Sequence, residues 1–122
     1  KLSDKIKLHG EITDSNKLEK FYNDASVVIS PSQAGLSVLS AFSNATGFVT
    51  SEYSKTGGEK FNIIDGLNGD YFDGTTSHLS KVISKYCDYD YAKKIGLNAF
   101  NYFHLYRNKD IWRKQILKAL NK

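Results

Sequence analysis

Hydrophobic positions alternate along the chain between short β-branched runs and stretches with helical spacing, which is typical of an α/β domain. Short apolar runs predict four strands, at 6–9, 27–30, 48–50 and 70–72. The run at 27–30 is continuous and β-branched, as expected of a strand covered on both faces. The pattern therefore predicts a Rossmann-like open parallel sheet with helices on both faces.

Helical periodicity accounts for most of the remaining chain. The predicted helices span 16–23, 35–44, 76–86, 89–105 and a last stretch from about residue 109, with one or two further turns at 60–65. Polar residues that suit helix N-caps precede two of them, namely Asp14 or Ser15, and Thr75 or Thr76, and the last helix is expected to open at Asn108 or Lys109. In the turns at 60–65, both Ile63 and Ile64 are expected to face inward.

The length of 122 residues, with 40% hydrophobic and 25% charged residues, suits one globular domain. We expect an α/β core at 1–105 and a basic helix at 106–122. No apolar run approaches the ~20 residues that cross a bilayer. Cys87 is the only cysteine, which excludes a disulfide framework and fits a reducing cytoplasm. Because the chain contains no methionine, we expect it to be part of a longer protein.

Positive charge is concentrated at the carboxyl end, where residues 104–122 carry six lysines and arginines against Asp110 alone. Such a tail suits a solvated helix face, an anionic membrane, nucleic acid or the rest of the same protein. Nucleic acid is disfavoured, because the aromatic residues do not cluster with the basic ones.

Two loops carry the candidate chemistry. The segment 29–37 leads from a strand through Gly35 into a helix, so its first backbone N–H groups suit a phosphate. The segment 55–59 follows the next strand and contains Gly57 and Gly58, which free the backbone to approach a ligand. Glu59 can accept hydrogen bonds from ribose hydroxyls or cap the following turn, and Lys55 can neutralise a diphosphate or stay solvated. Together the loops favour a nucleotide-sized ligand.

The order of these motifs resembles the carboxyl-terminal domain of GT-B glycosyltransferases, in particular glycosyltransferase family 4 and related group 1 enzymes. The resemblance runs from about Lys5 to Ala99. It is carried by the segments 10–12, 18–22, 25–32, 35–39, 49–51, 57–59 and 64–69. In that family this half binds the nucleotide-sugar donor, usually without a metal or other cofactor, beside an amino-terminal acceptor domain.

The resemblance also implies roles for individual positions. Diphosphate binding is implied for Ser32, Ala34, Gly35 and Leu36, to which the loop chemistry described above adds Lys55. Ribose or sugar binding is implied for Ser40, Gly57, Gly58 and Glu59, and nucleobase contact for His9, Gly10 and Glu11. For His9, a hydrogen bond to a neighbour at the end of a strand competes with base contact.

The sequence departs from the family pattern in the first loop, which is about three residues short. One of the two glutamates common there has no counterpart, and the other falls on Ser40. Glu59 is then the candidate for the missing carboxylate. Shorter loops of this type occur in transferases of capsule and lipopolysaccharide synthesis.

The resemblance thus implies transfer of a sugar, of hexosyltransferase type, to a growing polysaccharide or lipid-linked acceptor. It further implies that the last helix crosses back towards the acceptor-binding domain, with Trp112, Ile116 and Leu120 as its packing face. This packing is favoured over a peripheral contact at the inner face of the membrane, which is left open, and the implied location is cytoplasmic. The family's basic pair and its acceptor-binding domain match nothing in this chain, so we expect no turnover from it alone. The alternative is a non-catalytic α/β module that binds a phosphate ligand or a protein partner.

Overall fold

The computed structural model describes residues 1–121, apart from the side chain of Leu2. Within this part, a three-stranded parallel sheet contains β1 (Val27–Ile29), β2 (Gly47–Ser51) and β3 (Gly69–Phe72), with β2 in the centre. The α-helices are α1 (Ser15–Asp24), α2 (Ser37–Ser43), α3 (Thr76–Lys85), α4 (Tyr89–Tyr106) and α5 (Lys109–Leu120). Short 3-10 helices lie at Leu2–Lys5 and Glu59–Asn62.

The two faces of β2 are each covered by a separate apolar cluster. Successive side chains of a strand point to opposite faces, and the whole of β2 is buried. Phe48 packs with Phe42 of α2, whereas Val49 packs with Val82 of α3 and Ile95 of α4. The predicted open parallel sheet with helices on both faces is therefore confirmed.

The strand register places the loops after β1 and β2 at one edge of the sheet. Ile29 pairs with Val49, and the Ser30 N–H continues the ladder by donating to the Val49 carbonyl at 3.0 Å. The Thr50 hydroxyl donates to the Ser30 carbonyl at 2.7 Å, so the end of β1 is fixed to β2 on its buried side. The segments that follow β1 and β2 then leave the sheet at its carboxyl edge, where ligands bind in open α/β sheets.

Helix starts agree with the caps expected from the sequence. The Asp14 carboxylate accepts the Lys17 N–H at 2.8 Å, and the Thr75 hydroxyl accepts the His78 N–H at 3.2 Å. The Asn108 side chain accepts two N–H groups at the start of α5, each at 3.0 Å. Each cap satisfies donors that a helix leaves without an internal partner.

A buried carboxylate joins β3 to α3 and α4. Asp70 is 1% exposed. One of its oxygens accepts the hydroxyls of Tyr86 and Tyr91 at 2.7 and 2.8 Å, and the other accepts the Lys85 ammonium at 3.0 Å. Burial, and then the hydrogen bond to Asp70, raise the pKa of both tyrosines well above the ordinary value. These hydrogen bonds stabilise the buried charge, which would otherwise be costly.

Three expectations about burial and secondary structure are wrong. The segment 6–9 forms no strand; its residues are exposed, with Leu8 at 94%, and no described strand pairs with them. β1 is not covered on both faces, because Ile29 is 37% exposed. In the turns after Glu59, Ile63 is buried as expected but Ile64 is 44% exposed.

The last helix, α5, has no buried residue. Trp112, Ile116 and Leu120 are 51%, 55% and 75% exposed, so the packing face expected from the sequence is not covered by the described residues. None of the described helices combines the length and the hydropathy needed to cross a membrane.

Candidate functional site

The two loops singled out in the sequence are hydrogen-bonded to each other. The Lys55 N–H donates to the Ser32 carbonyl at 3.0 Å, and the Ala34 N–H donates to the Lys55 carbonyl at 2.8 Å. These bonds form a parallel bridge between Gln33 and Lys55 beyond the end of the sheet. The entry to α2 and the glycine-rich loop are therefore held side by side.

The same bridge corrects the expectation for Ala34. Its N–H is already used by Lys55 and its side chain is fully buried, so it cannot also hold a phosphate. The N–H groups of Gly35 and Leu36 donate no hydrogen bond to another described residue. A Cβ built on Gly35 meets no atom within 4 Å, so this backbone faces open space. Two free donors thus remain at the entry to α2.

The glycine-rich loop is organised around the Thr56 hydroxyl. That oxygen accepts the N–H groups of Gly58 and Lys60 at 3.1 and 3.2 Å, and it lies 3.3 Å from a carboxylate oxygen of Glu59, to which it donates. Thr56 rather than Glu59 therefore caps the turn at Glu59–Asn62. The Glu59 carboxylate is aimed by this contact and does not serve as the cap.

The two glycines are required for different reasons. Gly58 has a φ of +126°, a backbone conformation that residues with a side chain rarely adopt. A Cβ on Gly57 would lie 3.2 Å from the Glu59 carboxylate, so a side chain there would crowd it. Glycine at both positions lets the loop fold tightly around Glu59.

A groove of about 290 Å³ lies between the entry to α2, the glycine-rich loop and the junction of α4 with α5. Its lining residues are Leu36, Leu39, Gly57, Gly58, Glu59, Phe61, Asn62, Arg107 and Trp112. Both signs of charge are present, on Glu59 and Arg107, beside apolar and aromatic surface. This mixture suits a ligand with hydroxyl groups, an anionic group and a flat ring. We call it the Glu59 groove.

Asn62 connects this groove to the end of α4. Its side-chain N–H donates to the Glu59 carbonyl at 2.8 Å, and its oxygen accepts Arg107 Nε at 2.5 Å and the Tyr102 hydroxyl at 3.1 Å. Asn62 is 7% exposed. The glycine-rich loop and the α4–α5 junction are thus joined through one buried amide.

Several predicted site residues do not line the Glu59 groove. The side chains of Ser32 and Lys55 are exposed at the loop bridge and are not among the lining residues. Ala34 and Gly35 are also outside the lining, which Leu36 reaches from the same segment. Ser40 faces a different cleft, between α1 and α2, with Tyr22 and Asn44, and its hydroxyl donates to the Leu36 carbonyl at 3.3 Å. The expectation that Ser40 acts together with Gly57, Gly58 and Glu59 is therefore corrected.

The segment expected to contact a nucleobase, residues 9–11, precedes α1 and packs against that helix through His9. The ring of His9 lies 4.6 Å from that of Phe21, centroid to centroid, and the histidine makes no hydrogen bond to a described residue. Gly10 turns the chain with a φ of +64°, and Glu11 is exposed. Neither the strand nor the neighbour hydrogen bond expected for His9 is present. No described hydrogen bond joins residues 9–11 to the Glu59 groove.

Sequence reasoning missed five of the nine groove residues, namely Leu39, Phe61, Asn62, Arg107 and Trp112. One signal was present: Asn62 interrupts the apolar run of Phe61, Ile63 and Ile64. A polar side chain in a buried run needs hydrogen-bond partners. The identity of those partners could not be derived, because Arg107 is 45 positions away along the chain.

Comparison with known proteins supports the fold. Neither the known family models nor the curated proteins contain a match. Among solved structures, a sucrose-phosphate synthase from Thermosynechococcus elongatus is similar over 98% of this chain and 31% of its own, with a TM-score of 0.80 and 24% identity. The C-terminal domain of a group 1 family glycosyl transferase from Francisella tularensis is similar over 83% of this chain and 53% of its own. Its TM-score is 0.65 and its identity 21%.

The chain therefore spans about a third of the first matched protein and about half of the second. At these identities the likeness concerns the fold. The resemblance drawn from the motifs is confirmed at that level: the chain has the fold of the carboxyl-terminal domain of a GT-B glycosyltransferase.

Proposed function

We propose that this chain is the donor-binding part of a glycosyltransferase and that it holds a nucleotide-sugar in the Glu59 groove. The sugar is transferred, in a hexosyltransferase reaction, to a growing polysaccharide or a lipid-linked acceptor of capsule or lipopolysaccharide synthesis. The acceptor and its binding domain belong to the rest of the enzyme, and the reaction takes place in the cytoplasm. The chain alone binds the donor and does not turn it over.

The observation that carries the proposal is the hydrogen-bonded bridge between Gln33 and Lys55. It brings the entry to α2 and the glycine-rich loop to one groove at the carboxyl edge of a parallel sheet. Ligands of open α/β sheets bind at this edge. The fold shared with two glycosyltransferase structures is consistent with a sugar donor as the ligand of this groove.

Within the groove, each part of a nucleotide-sugar has a chemical counterpart. The free N–H group of Leu36, which lines the groove, suits a diphosphate oxygen, and the free N–H of Gly35 lies next to it in the chain, outside the lining. The Glu59 carboxylate, held by Thr56, can accept two hydroxyl groups of the ribose or the sugar. The exposed rings of Phe61 and Trp112 offer apolar surface for a base.

The chain's contribution to transfer is positioning. A sugar held at the groove is presented in one orientation to an acceptor on the facing side, which lowers the entropic cost of reaching the transition state. N–H groups at the diphosphate also stabilise the negative charge that develops when the diphosphate leaves.

The test is a calorimetric titration of the chain with UDP, GDP, ADP and their sugar conjugates. We expect one nucleotide to bind best and Glu59→Gln to weaken its binding about fivefold or more, since a charge-assisted hydrogen bond to a hydroxyl is lost. Glu19→Gln is the matched control, because Glu19 is exposed and lines the separate cleft between α1 and α2, so the same chemical change is made outside the Glu59 groove.

Three results would contradict the proposal. The first is that none of the nucleotides binds at millimolar concentration. The second is equal weakening by the Glu59 and Glu19 variants. The third is binding of simple phosphate with no preference for a nucleotide, which indicates the alternative function, a non-catalytic module for a phosphate ligand.

A further inference from the structure

Arg107 carries a positive charge that the described residues do not neutralise. It lies at the junction of α4 and α5, is half-buried and lines the Glu59 groove. Among residues 1–121, no carboxylate lies within ion-pair distance of its guanidinium. A partly buried charge without a counterion carries a desolvation cost that a bound anion would offset.

The guanidinium is also only partly hydrogen-bonded. Nε donates to the Asn62 side chain at 2.5 Å, and one terminal nitrogen donates to the Tyr106 carbonyl at 3.1 Å. A guanidinium has five N–H donors in a planar fork. Three of the five therefore have no hydrogen-bond partner among the described residues, and a fork of this kind matches two oxygens of a phosphate group.

We propose that Arg107 is the cation that binds the diphosphate of the ligand in the Glu59 groove. The inference rests on the proposed function for the nucleotide and sugar, and it adds the group that recognises the anion. Arg107 lines the groove together with Leu36, whose N–H donates to no described residue. Because α2 has only seven residues, its dipole contributes little and the guanidinium supplies the charge.

Asn62 is the positioning residue for this cation. Its amide oxygen fixes Nε of Arg107, and its N–H donates to the backbone carbonyl of Glu59, so the guanidinium is held against the backbone of the glycine-rich loop. The guanidinium also lies 5.7 Å from the centroid of the Tyr102 ring. With Nε and the ring face fixed, less rotamer entropy is lost when an anion binds.

A merely structural tether would use the same hydrogen bond to Asn62 but would not respond to an anion. The two roles differ in charge dependence. If the guanidinium binds an anion, removal of its charge by substitution weakens binding of that anion. The affinity for the anion also falls as salt screens the interaction. If Arg107 is only a structural tether, its substitution lowers the free energy of unfolding. The affinity of the molecules that remain folded for the anion is then unchanged.

The experiment is a calorimetric titration of the chain with inorganic pyrophosphate and, separately, with the nucleoside diphosphates UDP, GDP and ADP, at low and high salt. Arg107→Gln is compared with Arg113→Gln, which removes a charge from α5 outside the Glu59 groove. Arg107→Lys keeps the charge and loses the fork. Circular dichroism and urea unfolding establish that each variant is folded.

We expect Arg107→Gln to weaken binding of pyrophosphate and of the preferred nucleoside diphosphate by about tenfold or more, as for loss of charged hydrogen bonds. Arg107→Lys should recover part of the loss, and Arg113→Gln should change binding less than about twofold, as for a screened surface charge. If Arg107→Gln does not fold, Arg107→Lys and the salt dependence of the unmodified chain decide: unchanged affinity in both overturns the proposal.

The outcomes separate this inference from the proposed function. Nucleotide binding that is equal in the unmodified chain and in Arg107→Gln overturns the role of Arg107 and leaves the function standing. Arg107-dependent binding of pyrophosphate, with no gain from any nucleoside, supports the cation and overturns the nucleotide-sugar function. Failure of the unmodified chain to bind any probe overturns both.

Discussion

Removal of the Tyr86 hydroxyl tests whether the buried Asp70 network stabilises the fold. In Tyr86→Phe, Asp70 keeps its contacts with Tyr91 and Lys85 but loses a 2.7 Å hydrogen bond from a side chain that is 3% exposed. A hydrogen bond to a charged group contributes about 1.5–3 kcal/mol. The ring stays in place, so no cavity term is added. We expect the free energy of unfolding at pH 7 to fall by about 2 kcal/mol.

The same variant predicts a distinctive pH dependence. The pKa of Tyr86 is raised in the folded state by burial and by the bond to Asp70, whereas the unfolded chain has the ordinary value near 10. Folding therefore favours the protonated form of Tyr86. The contribution of this group to the free energy of unfolding is fully present below pH 10 and is lost as the pH rises above that value. At pH 11 the unfolded state gains about 1.4 kcal/mol from ionisation of this tyrosine. The difference in free energy of unfolding between the unmodified chain and Tyr86→Phe should therefore be smaller at pH 11 than at pH 7 by that amount.

Urea unfolding followed by circular dichroism at pH 7 and pH 11 measures both effects. Tyr89→Phe is the matched control, because Tyr89 lies three positions further along the chain, at the start of α4, and is 74% exposed; it should change stability by less than about 0.5 kcal/mol. The reasoning is refuted if Tyr86→Phe is as stable as the control at pH 7. It is equally refuted if the difference between the Tyr86 variant and the unmodified chain is the same at both pH values.

Three further predictions concern packing and the glycine-rich loop. Gly96→Ala should lower the unfolding midpoint in urea despite the better helix propensity of alanine, because its Cβ would overlap the Ala45 carbonyl oxygen; an unchanged midpoint would contradict this. Thr56→Val should weaken binding of the preferred nucleotide in calorimetry about tenfold, since two N–H groups and Glu59 lose their partner, whereas unaltered affinity would separate the loop from the site. Phe42→Ala should cost about 3–5 kcal/mol in chemical unfolding and Leu120→Ala less than about 0.5 kcal/mol, and similar costs would show that α5 is packed.

Features that depend on neighbouring residues could be predicted from the sequence. Asp14, Thr75 and Asn108 cap helices at the expected places, because a cap is a contact between residues two or three positions apart. The alternation of strands and helices also predicted the parallel sheet, since short βαβ connections leave few other arrangements. The placement of Gly35 and Gly58 at one edge follows from that topology.

Features that depend on distant partners could not be predicted. A run such as Ile6–His9 has strand propensity, but a strand forms only beside another strand, and none of the described strands pairs with it. Ser40 was expected beside Glu59, yet the rotation of α2 on the sheet turns it towards α1. The contact of Arg107 with Asn62 is set by the path of α4 across the sheet, which no local pattern encodes.

The most direct test of the nucleotide-binding claim is to follow the backbone amides of the chain by NMR during titration with UDP, GDP and ADP. The account predicts that one nucleotide shifts the amides of Gly35, Gly58 and Glu59 in a saturable way and leaves Ser77 in α3 unchanged. Amides at the groove that stay fixed at millimolar nucleotide, or shifts centred on Ser40 in the cleft between α1 and α2, would contradict it.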